Sequence, residues 1–176
     1  MHAMQALTGL VGVFFATTGV AAAQVPTRPA FRFGMGAGGQ VGPGYDGAEL
    51  LGRGTFVWTP TEVFGLGLSG TMERRTTDSQ ARTGYRIGPV AQVRAEWDVA
   101  EAYLGIGGGA YRYQFRPCLE APFYAEMSAG AAWVVAPWGA VGFDGVVTLP
   151  GEEDSCAGRY AHGPALGLLV TTTARF

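Results

Sequence analysis

Tyr85-Arg86-Ile87-Gly88-Pro89-Val90-Ala91-Gln92-Val93-Arg94-Ala95-Glu96-Trp97 is the stretch that decides the fold. Tyr85, Ile87, Ala91, Val93, Ala95 and Trp97 fall on one parity, and Arg86, Gly88, Gln92, Arg94 and Glu96 on the other. A period of two belongs to a strand whose faces meet different surroundings. Every charge of the segment sits on one of those faces. Pro89 is the discordant residue, since it cannot donate a ladder hydrogen bond; a bulge is expected there.

The same alternation recurs on either side. Towards the N-terminus, Phe31, Phe33 and Met35 oppose Arg32, Gly34 and Gly36. Leu50, Phe56 and Trp58 oppose Leu51, Arg53 and Val57, and Phe64, Leu66, Leu68 and Met72 oppose Gly65, Gly67, Ser69 and Glu73. Towards the C-terminus, Leu104, Ile106 and Ala110 oppose Tyr103, Gly105 and Tyr111, and Phe123, Met127 and Trp133 oppose Tyr124, Glu126 and Ser128. Val141, Phe143 and Leu149 oppose Gly142, Asp144 and Thr148; Leu166, Leu168, Val170 and Phe176 oppose Gly167, Thr171, Thr173 and Arg175. The reading is all-β, with eight strands.

The connections alternate too. Thr59–Glu62, Asp98–Glu101 and Ala136–Gly139 read as tight turns, whereas Val41–Ala48, Arg74–Thr83, Arg116–Pro122 and Pro150–Gly163 read as long polar loops. Consecutive strands joined this way form an antiparallel up-and-down barrel. A soluble, lipocalin-like binding barrel has the same period, so volume has to separate the two. The lumen of eight strands is only wide enough for side chains to fill. The apolar face, with two or more bulky residues on nearly every strand, is too large for it. The glycine-rich face fits, with Arg32, Arg53, Arg86, Arg94 and Arg175 balanced against Glu73, Glu96, Glu126 and Asp144 as a lumen charge network. The apolar face then meets lipid, and aromatics at both strand ends supply the interfacial girdles.

Composition agrees with this. The chain has 29 Gly among 176 residues, 12% aromatic and only 15% charged residues, and no Lys. A net charge of −2 offers no basic stripe for nucleic acid. Residues 1–23 read as a secretory signal peptide: an uncharged apolar run, Ala6–Val20, precedes the small-residue site Ala21-Ala22-Ala23. An uncleaved N-terminal anchor is the alternative. Cleavage after Ala23 leaves 24–176 as the barrel.

In this pattern, and in its terminal Phe176, the chain resembles the small bacterial outer-membrane barrels, the transmembrane domain of outer-membrane protein A and its relatives. The resemblance implies the bacterial outer membrane as location, short periplasmic turns and four longer extracellular loops. It also implies outer-membrane lipids as surroundings and Phe176 as an assembly signal read by the outer-membrane assembly machinery. A monomer is expected, with an envelope-structural or loop-mediated role; a narrow pore or lipid-interacting barrel is the alternative. Some barrels of this size modify lipid A, but His162 is the sole histidine after residue 23 and lies in a loop without a spaced serine, so no catalysis is expected.

No cofactor is expected either. Gly34–Gly39 and Gly65–Gly70 match G-x-G-x-x-G but lack the following helix of a dinucleotide site. Scattered carboxylates, one loop histidine and two cysteines give no metal-ligand spacing. Cys118 and Cys156, in the third and fourth long loops of an exported chain, are expected to form a disulfide.

Overall fold

The computed structural model describes residues 30–42, 49–77, 80–113, 123–150 and 164–176. The expected signal peptide, the expected Cys118–Cys156 bridge and His162 lie outside these residues. Eight antiparallel strands form one closed barrel in chain order. They are β1 (Ala30–Val41), β2 (Glu49–Thr59), β3 (Phe64–Thr77), β4 (Gln80–Glu96), β5 (Ala100–Tyr113), β6 (Phe123–Ala136), β7 (Gly139–Pro150) and β8 (Ala165–Arg175). Among the described residues there is no helix.

Closure is readable in the register. From Phe31 the partners run through Trp58, Leu66, Ala91, Ile106, Met127, Val147 and Leu166 and return to β1 at Val41, ten residues from the start. Eight strands with that stagger tilt by roughly 40° from the barrel axis. The seam closes beyond the β1–β8 ladder, where Phe31 and Phe176 exchange both backbone bonds at 3.1 and 2.9 Å.

The apolar parity faces outward throughout. Phe33, Met35, Leu50, Phe56, Leu66, Leu68, Ile87, Ile106, Phe143, Leu168 and Val170 are all exposed. The apolar column on β1 runs from Phe31 to Val41; at about 3.3 Å per residue and that tilt it stands roughly 25 Å tall. Phe31, Trp58, Phe64, Trp97, Trp133, Trp138 and Phe176 mark its short-turn end, and Tyr85 and Phe123 its loop end.

Two local expectations are corrected. Arg74–Thr83 is not a long loop: its residues pair from Arg74↔Thr83 to Thr77↔Gln80, leaving residues 78–79 as the link. The segment is polar on both parities, which suits a ribbon standing in water and erases the amphipathic signal of a strand. Nor does Pro89 sit in a bulge. The β3 register passes through Leu68↔Pro89 unbroken, and the β5 register keeps its offset on either side of Gly88–Pro89 while omitting those two residues. Gly108 and Gly109 lie opposite that gap, and a Cβ on Gly88 would collide with Gly108 backbone. The irregular register is at Val134–Ala136, beside the last tight turn.

Glycine on the inner parity makes room for larger neighbours. Tyr103 pairs with Gly130, and a Cβ on Gly130 would run into the Tyr103 ring. Gly130→Val should therefore destabilise the barrel by about 1–3 kcal/mol through overpacking. Urea unfolding of the refolded protein measures this, and Tyr103→Ala in the same chain should recover part of the loss. Equal loss with and without Tyr103 would show that the ring does not depend on Gly130.

Candidate functional site: the lumen

The inner parity collects charge that the strands cannot expose to bulk water. Arg32, Arg53, Arg86, Arg94, Glu73, Glu126 and Asp144 are buried, with Glu96 and Arg175 half-buried at the short-turn mouth. All nine residues expected to line the lumen project into it. The structure adds Gln40, Glu49, Gln92 and Glu101, each buried.

These side chains lie in tiers. At the short-turn end, Glu101 of β5 meets three guanidinium groups: Arg32 at 2.6 Å, Arg175 at 2.8 Å and Arg94 at 3.4 Å. Glu96 pairs with Arg32 and lies 4.0 Å from Arg175. The Arg94 guanidinium also donates to Gln92 at 2.9 and 3.1 Å and lies 5.2 Å from the centre of the Tyr103 ring. One tier up, Arg53 pairs with Glu126 and, at 3.0 Å, with Asp144. At the loop end, Gln40 donates to Glu49 and Glu73 at 2.8 Å each, and Arg86 pairs with Glu73 at 3.3 Å while also bonding Thr148. Tyr111 donates to Glu73.

Several of these pairs cross the barrel's diameter. In an eight-stranded ring the strand opposite each is four away, and Arg32–Glu101 joins β1 to β5, Arg53–Glu126 β2 to β6, and Arg175–Glu96 β8 to β4. Leu51, Val146 and Leu169 pack together beside these charges, each almost wholly buried, with Leu51 cross-strand from Glu73 and Leu169 cross-strand from Asp144. The lumen therefore holds a small apolar cluster among its charges. A cavity of about 30 Å³, bordered by Arg32, Arg53, Arg94, Tyr103 and Asp144, lies between the lower two tiers. That is water-sized, not a conduit.

Glu101 was missed because Asp98–Glu101 reads as a turn. Trp97 N–H donates to Ala100 O at 2.8 Å, so the turn is tighter and β5 begins at Ala100. The signal was present: Glu101 shares the parity of Tyr103 and Gly105. Gln40 and Glu49 likewise continue the inner parities of Arg32 and Arg53, at the strand ends that flank the expected Val41–Ala48 loop.

Glu101→Gln should cost about 3–5 kcal/mol, because it leaves buried guanidinium groups without their shared counter-charge. Glu62→Gln, in an exposed turn, should be near neutral. Unfolding midpoints in detergent compare the two, and equal midpoints would remove Glu101 from its central place.

No protein-family model matches the chain, and no characterised protein matches it in sequence. Solved structures do match. Neisserial surface protein A superposes with a TM-score of 0.61 at 10% identity, covering 84% of this chain and 95% of that one. The N-terminal β-barrel domain of Pseudomonas aeruginosa OprF gives 0.56 at 14% identity, covering 85% and 100%. Ail, the attachment invasion locus protein of Yersinia pestis, solved with the heparin analogue sucrose octasulfate, gives 0.52 at 11%, covering 85% and 99%. The chain has the fold of these small eight-stranded barrels of bacteria.

Proposed function

We propose that this protein is exported to the bacterial outer membrane and spans it as a sealed barrel, contributing to the envelope and presenting its loop rim outside. It neither conducts nor catalyses. The observation that carries this reading is the pairing of opposite walls: Arg32–Glu101 and Arg53–Glu126 tie the lumen across its diameter. The exposed belt, with aromatics at both ends, suits a bilayer, since a closed barrel leaves no strand edge unpaired in hydrocarbon. The similar structures come from bacterial surface and outer-membrane proteins. Outer-membrane lipids are then its immediate partners.

Refolded into lipid vesicles, the protein should migrate differently on a detergent gel before and after boiling, and the vesicles should carry no ion flux. Identical mobility would refute the spanning barrel. A shift accompanied by steady conductance would keep the barrel and refute the seal.

Phe176 belongs to the same reading as an assembly signal. Its ring is exposed at the short-turn rim beside Phe31, so it adds little to the packed interior. Deleting it should lower the amount of inserted protein in cells while refolding in vitro persists. Loss of refolding as well would make the residue structural; no change in either would end its role as a signal.

A further inference from the structure

The outer wall carries very little charge, and the charge it has is gathered in one place. Among the described residues the exposed, outward-facing charged side chains within the strands are Arg74 on β3 and Arg112 on β5. Both stand at the loop end of the belt. Arg74 continues the column Phe64, Leu66, Leu68, Met72, and Arg112 continues Leu104, Ile106, Ala110. Only β4 lies between them, with Tyr85 exposed on it and paired to Met72 on one side and Arg112 on the other. Two ladder spacings separate the strands, about 10 Å. Neither arginine has an ion-pair partner among the described residues. The opposite rim differs in sign: among the described residues its exposed charged side chains are Glu62 and Asp98, in the β2–β3 and β4–β5 turns.

We propose that Arg74, Tyr85 and Arg112 form a binding site on the barrel wall for the phosphate-bearing headgroup of a membrane lipid in the leaflet at the loop rim. This rests on the spanning-barrel reading above. Guanidinium groups bind phosphate through paired N–H donors and keep their charge at any physiological pH. Their stems lie along apolar surface while the heads reach the interface. Depth favours a lipid over a soluble polyanion. Both arginines extend lipid-facing columns by two residues, which puts them level with headgroups and side-on to the leaflet. A ligand arriving from solution would meet the loop rim from above. Tyr85 between them adds a ring for the acyl–headgroup boundary and a hydroxyl for the headgroup itself.

The full chain, refolded into phosphatidylcholine bilayers holding a small fraction of lipid A, is extracted in mild detergent and its retained lipid measured by native mass spectrometry. A parallel sample contains the same glycolipid with its phosphates removed. The wild-type protein should retain the phosphorylated form several-fold over the dephosphorylated one. R74Q/R112Q should bring the two close to parity, and E62Q/D98N at the other rim should keep the preference. The heat shift on gels verifies that each variant is folded, so failure of the barrel reading shows as loss of that shift in every sample. The proposal is overturned if R74Q/R112Q keeps the wild-type preference, or if wild type retains both glycolipids equally. It is also overturned if excess inorganic phosphate or sucrose octasulfate strips the lipid, since the site would then be one for soluble anions.

Discussion

Eight strands with a stagger of ten residues close at a diameter that leaves no bulk water inside, and the lumen nonetheless receives eleven charged side chains among the described residues. Arg32, Arg53, Arg86, Arg94 and Arg175 face Glu49, Glu73, Glu96, Glu101, Glu126 and Asp144. A buried charge stripped of its partner costs several kcal/mol, so these groups must find one another. Their near neighbours on the wall are largely Gly, Ser and Thr, and many partners lie on the far side. Arginine suits that demand. A planar fork of five donors reaches several acceptors at once, as Arg86 does with Glu73, Gln40 and Thr148. The absence of Lys from the chain is consistent with a lumen that needs directional bridges.

The wall follows from the lumen. Each long inner side chain needs space beside it, and the inner glycines supply it: Gly130 beneath Tyr103, and Gly84 against Glu73 and Tyr111. The outer parity is free of that limit and carries the bulk. Phe31 stacks on Phe56 with ring centres 5.6 Å apart, and Trp133 meets Phe143 edge-on at 6.2 Å. The contrast between a glycine-rich face and a bulky one is thus a consequence of curvature: side chains converge inside a narrow cylinder and diverge outside it.

That contrast made the strands, the closure and the direction of both faces legible before any coordinates. It works because parity is a local property, readable from a few residues at a time. Partnership is not. Nothing in the spacing of Arg32 and Glu101 says that they meet, because their contact is created by a register summed over five strands. The apolar cluster of Leu51, Val146 and Leu169 was hidden for a related reason. Each lies on a parity that carries charge or hydroxyls, and only the barrel brings the three together. The β3–β4 ribbon was lost where amphipathicity ends, since Arg75, Thr76 and Thr77 offer no contrast between faces even though their backbone pairs.

Glu73 and Arg74 show how much rests on register. They are adjacent in sequence, yet Glu73 turns inward to Arg86 and Tyr111 while Arg74 turns out to the edge of the belt. A slip of one residue would exchange the faces of the whole strand. It would put Leu66 and Leu68 into the lumen and Glu73 on the apolar wall. It would also set Arg74 beside Arg86 in a lumen that had just lost the carboxylate pairing with it. The charges inside and the belt outside therefore penalise the same error from opposite sides. Each strand that carries both has its height and its parity specified together, and the outward arginines inherit their position at the rim from constraints imposed by the inward ones.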